Sequence, residues 1–165
     1  MGILNASNAF GTQSTFMNNT AVTDSIITLG SDNAVSYTGQ PYVAYAWHSV
    51  DGFSSVENYI GNGSANGPVI YTDFKPAFVL IKRTDSTGNW HLFDSTRGPN
   101  NVVGETLYPD LNFIEQNVDA LDLMSNGFKI RTTDANLNSG GANYIYLAFA
   151  EAPTNAGFGA VVNAR

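Results

Sequence analysis

From residue 24 onward the chain alternates short runs rich in Val, Ile, Tyr and Phe with clusters of Asn, Gly, Ser and Pro. The runs cover residues 24–30, 41–50, 56–60, 68–73, 77–84, 89–95, 103–108, 120–124, 127–133 and 143–151. Apolar, β-branched and aromatic residues in segments this short, punctuated by turn formers, predict strands. A regular succession of them predicts an all-β sandwich or barrel. Asn62-Gly63, Asn66-Gly67 and Asn126-Gly127 tolerate the positive φ of tight hairpins and are expected to face outward. Helix is expected only over residues 111–117, with Asp110 as N-cap after Pro109.

One pattern occurs twice. Tyr42-Val43-Ala44-Tyr45-Ala46-Trp47 and Tyr146-Leu147-Ala148-Phe149-Ala150-Glu151 both alternate bulky residues with alanine, each after a polar turn and an apolar run at 26–29 or 128–130. Each reads as a strand with one bulky face and one face lying close to a neighbouring layer. The first copy is expected either to join the single sandwich, which is the preferred reading, or to complete a sheet in an adjacent copy.

Residues 1–23 differ from the remainder of the chain. They are dense in Asn, Ser, Thr and Gly, with isolated apolar residues at Ile3, Leu4, Phe10, Phe16, Met17 and Val22. That composition suits an arm lying along a neighbouring surface, because a disordered tail lacks such anchors; a frayed terminus is the plainer alternative. The expected organisation is an arm at 1–23, a sandwich domain at 24–151, and a linker at 152–165 with a terminal strand near 160–162. Ile3, Leu4, Phe10, Phe16 and Met17 are the expected assembly contacts.

Composition narrows the function. With 165 residues, 43% hydrophobic, the chain can bury one substantial core and is too short for two ordinary domains. It has no cysteine, which removes disulfides, thiolate metal sites and a cysteine nucleophile. The apolar runs are too short to cross a bilayer, and the N-terminus lacks the basic and apolar regions of a signal peptide, so no membrane partner is expected and the protein reads as soluble and intracellular when made. Charged residues make up 13%, and the net charge of −7 argues against nucleic acid. The first 74 residues contain no Lys or Arg, and every cation but Arg165 lies between Lys75 and Arg131. Contact between copies would be electrostatically favoured if that asymmetry is used; chance placement explains it equally well.

Candidate chemistry is thin. Asp134-Ala135-Asn136-Leu137-Asn138 spaces oxygen atoms like a calcium loop, yet Ser139 stands where that loop needs glycine and Ile145 where it needs a bidentate glutamate, so a turn is expected and no metal. His91, Asp94 and Arg97 fall near one strand end; an Asp94–Arg97 ion pair ordering the next loop is preferred over acid–base work. His48 reads as a partly buried polar residue. No Gly-x-Ser-x-Gly sequence is present, and none of the 14 acidic residues is singled out as a glycosidase pair, so neither an enzyme nor a cofactor is expected. Carbohydrate binding is the stronger alternative. Tyr59, Asn62, Asn66, Trp90, Asn100 and Asn101 have the stacking and hydrogen-bonding chemistry of a sugar site, although Trp47 and Trp90 would more often be core residues.

The run from Tyr42 to Ser54, Tyr59-Ile60-Gly61-Asn62-Gly63-Ser64, and Phe74-Lys75-Pro76-Ala77-Phe78-Val79-Leu80-Ile81-Lys82-Arg83-Thr84 resemble a domain of unknown function that recurs in tail-fibre-like and other structural proteins of tailed bacteriophages, often marine. The resemblance continues through Trp90, Asp94 with Arg97, Asn101-Val102-Val103, Leu107-Tyr108-Pro109, Ser125-Asn126-Gly127-Phe128-Lys129 and the strand ending at Glu151, so it spans residues 42–151. It implies a laminin-G-like or jelly-roll β-sandwich in a virion structural protein, with no catalytic residues. The expected function is therefore non-enzymatic: a capsid decoration protein or a tail or fibre subunit, in a trimer or lattice with its own copies and other virion proteins. Recognition of a cell-surface glycan is the alternative.

Overall fold

The computed structural model describes residues 4–11 and 14–152. Ile3, Pro153 onward and the strand expected near 160–162 lie outside the described residues. The chain divides into two units: residues 10–46, and a larger unit that joins the preceding segment to everything from Trp47 on.

The larger unit is an all-β sandwich. Its strands are β1 (Ser54–Ile60), β2 (Val69–Tyr71), β3 (Pro76–Arg83), β4 (Trp90–Asp94), β5 (Val103–Thr106), β6 (Gln116–Met124), β7 (Gly127–Ile130) and β8 (Asn143–Ala150). They form two antiparallel four-stranded sheets, a front sheet ordered β1-β8-β3-β4 and a back sheet ordered β2-β7-β6-β5. First pairs with last in one sheet and second with seventh in the other, the nested order of a jelly roll; inside it β3–β4 is a hairpin and β5–β7 a meander. An isolated bridge between Leu92 and Leu107 joins the sheets along the β4–β5 edge. Among the described residues no comparable ladder joins β1 to β2, so that edge of the sandwich is open.

The alternation read from the sequence sets the core. In β8, Tyr144, Tyr146 and Ala148 point inward and are buried, while Ile145, Leu147 and Phe149 point out and are half-buried. Val79 and Ile81 of β3, Phe93 of β4, and Phe128 and Ile130 of β7 meet them between the sheets and are fully buried. Burial on this scale stabilises by about 1.5–3 kcal/mol per large side chain. Tyr59 stacks on Tyr144, and its hydroxyl donates to the Leu137 carbonyl at 2.8 Å, so a polar handle is buried with its bond made. The β6–β7 hairpin requires Gly127, because a Cβ there would stand 2.0 Å from the Ile70 carbonyl oxygen.

Three helical turns complete the described chain: α1 (Ser14–Met17), α2 (Asn33–Ser36) and α3 (Ala135–Asn138). The third corresponds to the calcium-like sequence, and the Asp134 carboxylate accepts from the Asn136 amide at 2.7 Å as its cap. The helix expected at 111–117 does not form. Asp110 accepts instead from the Trp90 amide at 3.1 Å, and Gln116 already belongs to β6.

The smaller unit departs further from expectation. Residues 24–30 and 41–49 contain no strand, and residues 42–47 belong to neither sheet. Alternation suits a strand only where a neighbouring strand takes up the backbone hydrogen bonds, and no described strand pairs with these residues. A few local bonds give the unit shape. Gly30 N–H donates to the Phe16 carbonyl at 2.6 Å and Asp32 N–H to the Thr15 carbonyl at 2.9 Å. Asp32 caps α2 through the Ala34 amide, and the Tyr42 hydroxyl donates to the Asn33 carbonyl while accepting from the Tyr37 amide.

Candidate functional site

Not one described residue before Ser54 is buried. The smaller unit nevertheless carries Val22, Ile26, Ile27, Leu29, Tyr37, Tyr42 and Val43, each about half exposed or more, Val43 reaching 78%. It is a hydrogen-bonded frame with its apolar side chains outside. Scattered exposed apolar residues are ordinary; a unit whose described residues bury no side chain is not, and surfaces of that kind mark interaction sites. Of the expected assembly residues in this unit, Phe10, Phe16 and Met17 are half-buried.

Leu4 belongs to the sandwich unit and is 56% exposed. With Trp47, Val56, Leu80, Trp90, Ile145 and Leu147 it lines a groove of about 330 Å³ on the outer face of the front sheet. The lining is almost wholly carbon. Neighbouring Ser7 is held there through its carbonyl, which accepts from Gly88 N–H at 2.8 Å and from Lys82 Nζ at 3.3 Å. Burial pushes the Lys82 amine below its ordinary range, against the pull of Asp110.

A second concavity, of about 530 Å³, lies along the open edge between β1 and β2 and is polar. Asp51, Glu57 and Asp73 supply carboxylates, Ser49, Ser54 and Ser55 hydroxyls, and Tyr71 a ring that is 66% exposed. The buried Ser55 and Tyr146 hydroxyls share a 2.9 Å bond at its wall. Burial raises the Tyr146 phenol above its ordinary range, with Glu57 and Asp73 adding to that rise. Asp73 sits at φ +62°, a left-handed conformation uncommon outside glycine.

The residues expected to bind a sugar do not converge. Tyr59 is 7% exposed in the core and Trp90 is 9% exposed on the front sheet. Asn62 and Asn66 share a loop, where Asn62 Nδ2 donates to the Asn66 carbonyl at 3.0 Å and the Asn66 side chain accepts from Lys129 Nζ at 2.6 Å. Asn101 brackets the Leu123 backbone with two 2.9 Å bonds, and Asn100 is exposed beside it at the other end of the sandwich. Trp47 is exposed at 55%, not a core residue. His48 is also exposed, its Nδ1 2.9 Å from the Ser49 carbonyl oxygen, which corrects its expected partial burial.

Asp94 and Arg97 form the expected kind of pair. Burial alone would raise Asp94, but the Arg97 amide and guanidinium outweigh it and hold the carboxyl below its usual range. Arg97 also reaches Glu115 at 2.8 Å. His91 is no part of this cluster: it points inward and meets the Tyr108 ring edge-on at 4.8 Å. Among the described residues no group of three or more acidic or imidazole side chains is placed to hold a metal ion, and no helix is long and apolar enough to cross a membrane.

Fold and surfaces together define an antiparallel β-sandwich module joined in one chain to a separately framed unit whose described apolar side chains are not buried. The chain belongs to the family described as Domain of unknown function (DUF7483), whose model matches residues 2–153. No curated protein and no solved structure matches it significantly.

Proposed function

We propose that this chain is a non-enzymatic structural subunit of a tailed-bacteriophage virion, a capsid-decoration or tail-fibre component that works by self-assembly and by docking on the particle. The carrying observation is the smaller unit: described residues 10–46 hold a hydrogen-bonded shape without burying one side chain. Such a unit is stable only once something covers it, since its order otherwise costs conformational entropy with no burial to offset it. The phage setting is supported by the resemblance of residues 42–151. Native mass measurement of the full chain tests the assembly: a multiple of the chain mass is expected. A monomer at every concentration, with residues 10–46 open to protease, would sink the reading.

A second reading rests on the open-edge cleft. The exposed Tyr71 ring beside Asp51, Glu57 and Asp73 is the pairing of stacking face and hydroxyl acceptors that a sugar uses. Glycan-array binding lost in Tyr71→Ala is expected if it holds; no binding by the intact chain removes it.

A further inference from the structure

Buried polar side chains in folded proteins almost all find a hydrogen-bonding partner, and each exception asks for a cause. Among the described residues two buried side-chain atoms lack one, His91 Nε2 and Asp110 Oδ2. The His91 ring, 3% exposed, also lines a cavity. That cavity lies between the sheets, along the edge that the Leu92–Leu107 bridge closes: His91 comes from β4, Thr106 from β5 and Ala120 from β6, while Tyr108, Thr132 and Asp134 bring further oxygen atoms. Its free volume is about 20 Å³. A water molecule needs roughly 10–15 Å³ of such space, so the cavity holds one and has no room for an organic ligand.

Size alone does not wet a cavity, because apolar voids stay dry. Here the lining is polar enough. Thr106, 1% exposed, gives its hydroxyl proton to the Gly104 carbonyl at 2.9 Å and keeps lone pairs on the oxygen. The Thr132 oxygen accepts from the Asp134 amide at 3.1 Å and has a hydroxyl proton to give. Asp134 spends one carboxylate oxygen on Asn136 and keeps the other. The imidazole itself chooses the occupant. Burial brings its pKa to about 4, so at pH 7 the ring is neutral, with one nitrogen donating and the other accepting. A cation suits Nε2 in one tautomer only, whereas water, both donor and acceptor, suits it in either. Nor do three acidic or imidazole side chains gather to hold a metal ion among the described residues.

We propose that this cavity is a built site for a single water molecule, bonded to His91 Nε2 and to the Thr106 and Thr132 hydroxyls. The water completes the hydrogen bonding of the imidazole. It also ties β4 of the front sheet to β5 of the back sheet through a polar bridge inside the core, a contact nearly as favourable as a direct hydrogen bond. The site is internal and does not depend on what the chain docks with.

Crystals of the full chain grown at pH 7 and soaked in rubidium chloride, a probe for ions, test the site directly. One ordered peak is expected in the cavity, about 2.7–3.2 Å from Nε2, with no anomalous rubidium signal. A cavity without density, or an imidazole turned to bond a protein atom instead, overturns the site; a rubidium peak there overturns water as its occupant. In solution, oxygen-17 relaxation dispersion of the solvent counts long-lived waters and is blind to hydroxyl proton exchange. His91→Phe, which keeps a ring and removes the nitrogen, is expected to lower that count by one. Should His91→Phe fail to fold, Thr106→Val is measured in its place, with the same loss expected. An unchanged count in a folded variant means that no long-lived water sits at His91 and overturns the proposal.

Discussion

His91 is 3% exposed, and its Nε2 has no hydrogen-bonding partner among the described residues. Burial depresses its pKa to about 4, with Asp134 and Asp110 pulling the other way. The unfolded chain takes up this proton near pH 6.5, the folded chain only near 4. The associated stability is therefore fully present above pH 6.5 and falls away as pH drops toward 4, by about 3 kcal/mol. Urea unfolding at pH 7 and pH 4.5 should show that loss, and His91→Phe should show a smaller one; equal slopes in the two proteins would refute the assignment. Asn138 marks how far such roles can be read from sequence. Its place in a turn was legible from the Asp and Asn spacing. Its task was not: the side chain is fully buried, accepts from the Asn62 amide at 2.8 Å, and donates to Ser64 and Thr132 carbonyls at 2.7 and 2.9 Å. Those partners lie up to 76 residues away, beyond any local pattern.

At the scale of elements, eight of the ten expected runs became strands, and the two that failed share a cause. Alternation reports which side chains tolerate a pleat, whereas a strand exists only beside another strand. Residues 24–30 and 41–49 carry apolar runs, the second of them alternating, without a pairing partner among the described strands. The same limit explains the candidate sites. Tyr71 and Asp73 meet Asp51 and Glu57 only because β1 and β2 end different sheets along one open edge, a non-local fact. The apolar outer face was legible in principle, since Ile145, Leu147 and Phe149 interleave with Tyr144, Tyr146 and Ala148, leaving β8 apolar on both sides. Gly30 tests whether the smaller unit is a real element. A Cβ at Gly30 would lie 1.9 Å from the Thr15 carbonyl oxygen, so Gly30→Ala must break the bonds tying residues 30–32 to 15–16. Amide exchange over residues 14–36 is expected to quicken while the sandwich melts at its usual temperature. Unaltered protection would mean that the frame does not exist.

Across the whole molecule the charge asymmetry, which the sequence left open between contact and chance, is used in part for ion pairs within the sandwich unit. Four of the six basic residues between Lys75 and Arg131 pair with carboxylates of their own unit: Lys75 with Glu151 at 2.8 Å, Arg83 with Asp85 at 2.7 Å, Arg97 with Asp94 and Glu115, and Arg131 with Asp122 at 3.0 Å; Lys82 and Lys129 donate to neutral oxygens, Lys82 to the Ser7 and Arg83 carbonyls and Lys129 to the Asn66 side chain. Little is left to attract the acidic leading part of another copy. Assembly through apolar surfaces is expected to persist or tighten as salt rises, because screening weakens ionic contacts and leaves burial intact. Sedimentation at low and at molar salt distinguishes the two: dissociation on adding salt would show that ion pairs hold the copies together.

The pairing of β1 with β8 has a mechanical side. Ser54 lies opposite Phe149, and Ala150 N–H bonds the Phe53 carbonyl at 2.8 Å, so the chain enters and leaves the sandwich at neighbouring points. Tension applied along the polypeptide would part these strands like a zipper, one backbone hydrogen bond after another, each worth only about 1 kcal/mol. It would not load the whole ladder in shear. A sandwich wired in this way is a poor link in a tensile chain, because its end strands are loaded one hydrogen bond at a time.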